Sequence, residues 1–298
     1  MASAHSGVLA STPMREAASL TRPSFTLPPG ALDGHVHVFG PEARYPRVLD
    51  PLYTLPDGAP PLLVAMLDAM GLARCAIVQP SYYGTDNRCL LDALDELGPR
   101  ARGVVMVDDD VADATLDAMH ARGVRAVRLD LFKRAGWPTT ELVAFIRRSM
   151  ARVRRLGWHV QFYTPGTVVR DLVPALPDFE VPYVIDHMGY MLESDGLGRA
   201  DFDRLVDAVQ RGRGWMKLSG AYRIAKDRQY GRLAPYARAI VDALPERTIW
   251  GSDWPHIPDG ALDTGTLLDL LGEWVPDASR RDAILAANAA RLYEGFHG

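Results

Sequence analysis

The stretch Ala31-Leu32-Asp33-Gly34-His35-Val36-His37-Val38-Phe39-Gly40 is the first strand-like run of the chain and carries two histidines spaced by two. Residues i and i+2 of a strand project to the same face. His35 and His37 therefore converge on whatever that face lines. Imidazoles titrate near neutrality, bind metals and donate hydrogen bonds, so a pair aimed at one point marks the start of an active site. Working outward, the run is the first of eight: 32–38, 74–80, 102–107, 124–131, 158–164, 182–187, 214–219 and 247–252. Helical patterns lie between them, near 60–70, 87–98, 111–121, 139–156, 167–176, 200–211 and 229–244, with a last helical stretch over 265–296. Strand–helix alternation implies a parallel sheet. Eight repeats over about 260 residues fit a closed barrel better than an open sheet. No Gly-x-Gly-x-x-Gly turn follows the first strand, as a doubly wound dinucleotide-binding sheet requires. The expected fold is α/β, a single (β/α)8 TIM barrel over residues 30–298, after an irregular lead-in over residues 1–29 rich in Ser, Ala, Thr and Pro.

Composition narrows the function classes. A formal net charge of −4 lacks the basic excess of a nucleic-acid-binding surface. No stretch reaches the ~18–20 apolar residues of a membrane span, and the lead-in lacks the apolar core and cleavage pattern of a secretory signal. The two cysteines, Cys75 and Cys89, sit in an apolar run and at the start of a helical pattern. They read as free thiols of a cytoplasmic protein.

In barrels of this type the chemistry sits at the C-terminal ends of the strands. Those ends carry His35 and His37; Gln79-Pro80-Ser81; Arg128 and Asp130, with Lys133 and Arg134 beyond; Gln161 and Tyr163; Asp186-His187; Lys217-Leu218-Ser219, then Arg223; and Ser252-Asp253. Taken singly, such residues have bland readings. A lone histidine is usually hydrogen-bonded structure, and a strand-end aspartate often caps the next helix. His159, at the start of its strand, is expected to be structural. His5, His120, His256 and His297 are lone and are expected to face solvent or to support other residues, and Arg147, Arg148, Arg152 and Arg154 form a solvated helix face. Coincidence lifts the set above these readings: three histidines, an aspartate and three arginines all fall on one end.

His-x-His after strand one, His187 after strand six and Asp253 after strand eight resemble the amidohydrolase superfamily. More closely, residues 28–41, 78–87, Ile185-Asp186-His187-Met188-Gly189 and 249–256 resemble the 2-pyrone-4,6-dicarboxylate lactonases, a likeness that runs from about residue 25 to the C-terminus. The resemblance implies a hydrolase that opens a small acidic lactone. His35, His37 and His187 would surround the carbonyl oxygen, and Asp253 would activate water. Arg128, Arg134 and Arg223 match guanidinium positions for substrate carboxylates, and Ser81 and Tyr163 match hydrogen-bonding positions. Tyr190 stands where the family has an arginine and joins the substrate-binding set. Losing a bidentate donor there points to a lactone with one carboxylate, a differently placed anion, or a sugar-acid lactone.

The resemblance also implies no metal cofactor. Two-metal sites need a histidine on strand five, which instead presents Gln161 and Tyr163, and a bridging carboxylate or carbamylated lysine on strand four, which offers Arg128 and Asp130; Arg128 would repel a cation. The alternative is one Zn²⁺ on His35, His37, His187 and Asp253, a donor set that suits it, as in a metal-dependent amidohydrolase or decarboxylase. The expected partner is a small anionic lactone, with no nucleic acid and no membrane. Oligomeric state is not readable from these patterns.

Overall fold

The computed structural model describes residues 13–49, 55–56, 58–191 and 195–294. Eight parallel strands follow one another around a sheet: β1 (Leu32–Val36), β2 (Arg74–Val78), β3 (Ala101–Val105), β4 (Val124–Asp130), β5 (His159–Tyr163), β6 (Tyr183–Ile185), β7 (Gly214–Leu218) and β8 (Thr248–Trp250). Each pairs with the next in sequence. The helices among the described residues are α1 (Pro60–Met70), α2 (Arg88–Leu97), α3 (Asp113–Ala121), α4 (Thr139–Val153), α5 (Gly166–Leu172), α6 (Arg199–Arg211), α7 (Ala221–Ile224), α8 (Ala234–Ala243), α9 (Thr264–Trp274), α10 (Ala278–Asp282) and α11 (Asn288–Glu294), all but the last lying outside the strands. Their apolar stripes bury against the strands. In α2, for example, Leu90, Leu94 and Leu97 are buried, as the helical period requires. No helix among the described residues is long and apolar enough to cross a membrane.

The ring closes through the segment after β8. Asp253 N donates to His35 O at 2.9 Å and His37 N donates to Trp254 O at 2.9 Å. This seam sets Asp253 beside the paired histidines. The approach needs a glycine: a Cβ on Gly251 would stand 2.6 Å from the Cβ of His35.

A register shift sets which way the histidines point. Asp33 pairs with Cys75 and Val36 with Ile77, so three steps on β1 span two on β2. This one-residue bulge reverses the face parity along β1. Leu32 before it and His35 and His37 after it thus share the parity of Ala76 and Val78. Leu32, Ala76, Val78, Val104, Ala126, Val184, Trp215 and Ile249 form a buried cluster with Leu292 and Tyr293 of α11, separate from the larger core under the outer helices. This is the inside of the barrel, plugged by α11. β5 contributes nothing apolar to it, because its corresponding residues are His159 and Gln161, both fully buried.

Two departures from the sequence expectation concern helices. The stretch over 265–296 is not one helix: it breaks at Val275-Pro276-Asp277. Proline has no N–H to continue the ladder, and Asp277 caps α10 through Arg280 N. The short α7 is too brief for periodicity to reveal, yet it carries Tyr222 and Arg223. Within the lead-in, residues 13–29 are irregular apart from one turn at Ala17–Ser19. Arg15 and Thr21 bond to Asp263, the N-cap of α9. His5, His297 and the end of the last helical stretch lie outside the described residues.

Candidate active site

The seam gathers His35, His37 and Asp253 into a triangle of facing atoms. His35 Nε2 lies 3.3 Å from His37 Nε2. Asp253 Oδ1 lies 3.6 Å from the first and 3.4 Å from the second. His187 joins from β6, its ring centroid 4.9 Å from that of His35. All four are buried.

Two of these residues sit on unusual backbone. His187 (φ 50°), Met188 (φ 52°), Tyr190 (φ 51°) and Asp253 (φ 64°) occupy the left-handed region that side chains disfavour. Such residues cost on the order of 1–3 kcal/mol each and cluster at functional sites. Gly220 (φ 63°) makes room beside them, because a Cβ there would meet His187 Nδ1 at 2.6 Å.

The carboxylate of Asp253 has two different oxygens. Oδ2 accepts from the Tyr222 hydroxyl at 2.7 Å and from Arg223 Nε, both on α7. Oδ1 is buried and accepts no hydrogen bond. Burial raises this carboxyl, but Arg223 and the imidazoles outweigh it and hold it well below the usual carboxylate range. Burial pushes all three histidines down: His187 to about 4, with Asp253 and Asp186 partly opposing; His35 well below its ordinary value, with Lys217 adding to the effect; His37 in the same direction, opposed by Asp253. At neutral pH the site is a carboxylate among neutral imidazoles.

Below this triangle lies a polar layer to which the sequence assigned no role. Lys217 Nζ stands 2.9 Å from Asp186 Oδ1, 3.1 Å from His35 Nδ1 and 3.2 Å from Gln161 Oε1. Gln161 Nε2 donates to Asp186 Oδ2 at 2.8 Å. A charge inside the Trp215-Met216-Lys217-Leu218 strand was the available signal, since a buried lysine needs a buried partner. Tyr222 was also missed as a support of the site, whereas His256 takes one of the two roles expected of a lone histidine. The buried ring of His256 packs edge-on to Tyr222, and its Nε2 lies 3.0 Å from Thr264 Oγ1.

The expected substrate-binding residues divide. The Arg128 guanidinium lies over the Tyr163 ring at 4.3 Å and donates to Gln79 O. Tyr163 and Tyr190 pack near His187 with ring centroids 6.4 and 5.3 Å away, and Phe132 covers Tyr163 at 4.4 Å. Ser81 donates to Asp130 Oδ2 at 2.6 Å. Arg134 turns away to α4: its guanidinium lies over the Phe145 ring at 4.2 Å and donates to Asp130 O. Of the three expected arginines, Arg128 and Arg223 thus lie beside the triangle and Arg134 does not. His159 packs against Tyr293 at the plugged end.

The triangle fits a single divalent ion in shape and donor type. Ligand atoms about 2.0–2.1 Å from a tetrahedral ion stand roughly 3.3 Å apart, and two imidazoles with a carboxylate suit zinc. The set differs from the expected four. His35, His37 and Asp253 make one group, whereas His187 groups with His35 and Asp186.

Residues 32–295 match the profile of the amidohydrolase family. The chain is 33% identical over 290 residues to a 2-pyrone-4,6-dicarboxylate hydrolase of Comamonas testosteroni, covering 93% of this chain and 94% of that one. It is 33% identical over 276 residues to a 4-sulfomuconolactone hydrolase of Hydrogenophaga intermedia, covering 90% of each. The crystal structure of a putative 2-pyrone-4,6-dicarboxylic acid hydrolase from Pseudomonas putida matches with a TM-score of 0.75 at 35% identity, covering 90% of this chain and 98% of the other. On sequence match and barrel alike, the chain belongs to the amidohydrolase family.

Proposed function

We propose that this protein hydrolyses the ring ester of a small anionic lactone. The observation that carries the reading is the meeting of a free carboxylate oxygen, Asp253 Oδ1, with imidazole nitrogens at 3.4 and 3.6 Å, under a mouth that holds Arg128 and Arg223. The relatives named for a pyrone dicarboxylate and a sulfomuconolactone, both anionic, support it.

In this reading Asp253 Oδ1 takes a proton from water as the water oxygen bonds to the lactone carbonyl carbon. Imidazole N–H groups bind the oxyanion that forms. Removing one such donor typically costs ~2.7–4 kcal/mol of barrier. The ring C–O bond then breaks, and the leaving oxygen receives the proton held by Asp253. Arg223 and Arg128 bind the substrate's anionic group and fix its orientation, with Tyr163 and Tyr190 lining the path. Ser81 and Arg134 stand beyond this set, bonded to Asp130.

We read the reaction as needing no metal, because a cation neighbours every member of the triangle: Lys217 at His35, Arg128 near His37 and Arg223 at Asp253. The triangle's edge lengths favour a second reading, in which His35, His37 and Asp253 hold one Zn²⁺. Such an ion would polarise the carbonyl and acidify water. Tyr190 and two sugar-lactone relatives, a D-galactarolactone isomerase of Agrobacterium fabrum and an L-fucono-1,5-lactonase of Burkholderia ambifaria, keep a sugar-acid lactone in view as substrate. The two buried free thiols accord with the cytoplasm.

The test is a hydrolysis panel of acidic, sugar-acid and neutral lactones, run with and without exhaustive chelation. Turnover strongest on anionic lactones and insensitive to chelator is expected. Turnover of none of them overturns the reading, and activity lost to chelator and restored by Zn²⁺ selects the second.

A further inference from the structure

We propose that Lys217 is a positioning residue that keeps the single ring proton of His35 on Nε2, the nitrogen facing the reacting atoms. The proposal deepens the reading above, which places His35 at the lactone carbonyl.

The argument starts at both ends of a hydrogen-bond chain. At one end, Lys217 Nζ makes an ion pair with Asp186 Oδ1 at 2.9 Å and hydrogen-bond contacts with Gln161 Oε1 at 3.2 Å and His35 Nδ1 at 3.1 Å. An ammonium has three N–H groups and no lone pair, so His35 Nδ1 must accept. Gln161 confirms the polarity, turning its oxygen to the ammonium and its NH₂ to Asp186. At the other end, His37 Nδ1 lies 2.7 Å from Val78 O. A carbonyl oxygen only accepts, so His37 carries its proton on Nδ1 and leaves Nε2 bare. Between the two ends, His35 Nε2 and His37 Nε2 face each other at 3.3 Å. With the proton on His35 Nε2, every link has one donor and one acceptor. Reversing His35 sets two lone pairs against each other at 3.3 Å and two donors against each other at 3.1 Å.

The two histidines of the strand-one pair therefore differ in role. His35 donates and serves the oxyanion. His37 Nε2 only accepts: in the free site its lone pair takes the His35 N–H at 3.3 Å, and once that N–H is drawn to the substrate's carbonyl oxygen, His37 Nε2 and Asp253 Oδ1 at 3.4 Å are two acceptors for the hydrogens of the attacking water. The same polarity opposes a metal ion, which needs His35 Nε2 bare. The His35 proton would then move to Nδ1, where Asp186 Oδ1 waits at 3.5 Å behind the Lys217 ammonium.

The tautomer can be read directly in the metal-free full-length protein labelled with ¹⁵N-histidine, using long-range ¹H–¹⁵N spectra assigned with a His35→Gln variant. The expected result is a protonated Nε2 and bare Nδ1 for His35, with the opposite pattern for His37. A protonated Nδ1 on His35 overturns the proposal, and this reading needs no variant of Lys217. Lys217→Met should move the His35 proton to Nδ1, facing Asp186. It should lower kcat by roughly 10²–10³, the cost of one oxyanion donor, with KM little changed, and raise Zn²⁺ affinity measured by calorimetry. Lys217→Met/Asp186→Asn should restore the Nε2 proton, because the amide donates where the carboxylate accepted. An unmoved tautomer in the single variant, or no restoration in the double, also overturns it. Inactivity of the wild type on every lactone would sink the hydrolase reading and leave this tautomer result standing.

Discussion

Asp253→Asn removes the carboxylate proposed as the base while keeping its shape. Oδ2 faces two donors, the Tyr222 hydroxyl at 2.7 Å and Arg223 Nε, so the amide oxygen of the asparagine takes that side. The NH₂ then occupies the place of Oδ1, 3.4 and 3.6 Å from the imidazole nitrogens of His37 and His35, and can donate to His37. The site keeps its packing and loses its proton acceptor. General-base catalysis contributes about 10²–10⁴ in rate, so the barrier should rise by roughly 3–5 kcal/mol. Exchanging a charge-assisted bond to Arg223 for a neutral one costs about 1–2 kcal/mol of stability, a fall in Tm of roughly 2–8 °C. Steady-state kinetics on the best lactone of the panel, beside thermal melts by circular dichroism, measures both. Near-wild-type turnover by a folded Asp253→Asn protein would refute the assignment of proton transfer to this residue.

Arg128→Met and Arg223→Met should each raise KM for an anionic lactone far more than for a neutral one; equal effects on both would make these arginines structural. Gly220→Ala places a side chain at φ 63° and within 2.6 Å of His187 Nδ1. It should destabilise the fold by at least the ~1–2 kcal/mol of a left-handed residue and lower kcat, and an unchanged melt and rate would contradict the packing argument. Stability should rise between pH 4 and 6.5. Burial holds His187 and His256 at about 4 and His159 at about 3, against 6.5 for an exposed histidine. The unfolded chain therefore binds more protons in that window, and the stabilisation is lost as pH falls through the folded values. Among the described residues, only Asp33, raised to about 6 by burial, works the other way. Urea unfolding at pH 5 and pH 7 checks the sign, and equal or greater stability at pH 5 would contradict it.

The barrel and its end of action were legible because they rest on local periodicity. All eight strand-like runs became strands, and His35, His37, His187 and Asp253 could be picked out from their positions at strand ends. The last helical stretch was misjudged at Pro276, where the apolar pattern continues but the ladder of N–H donors does not. The four-residue α7 escaped because it is shorter than any window that could show a helical period. Arg134 matched a family position, yet its guanidinium settled on Phe145 because an aromatic face on α4 lay within reach.

From the chain alone came the fold class, the end of the barrel proposed for catalysis and the residue types gathered there. Tertiary structure decided the partnerships: that Arg223 and Tyr222 hold one oxygen of Asp253, that His187 groups with Asp186 rather than completing a four-residue set, and that Lys217 stands behind His35. Strand spacing encodes which face a side chain takes, since that depends on its nearest neighbours in sequence. Which groups meet across a barrel depends on register, a bulge in β1 and the closing seam, and those arise only when distant segments pack.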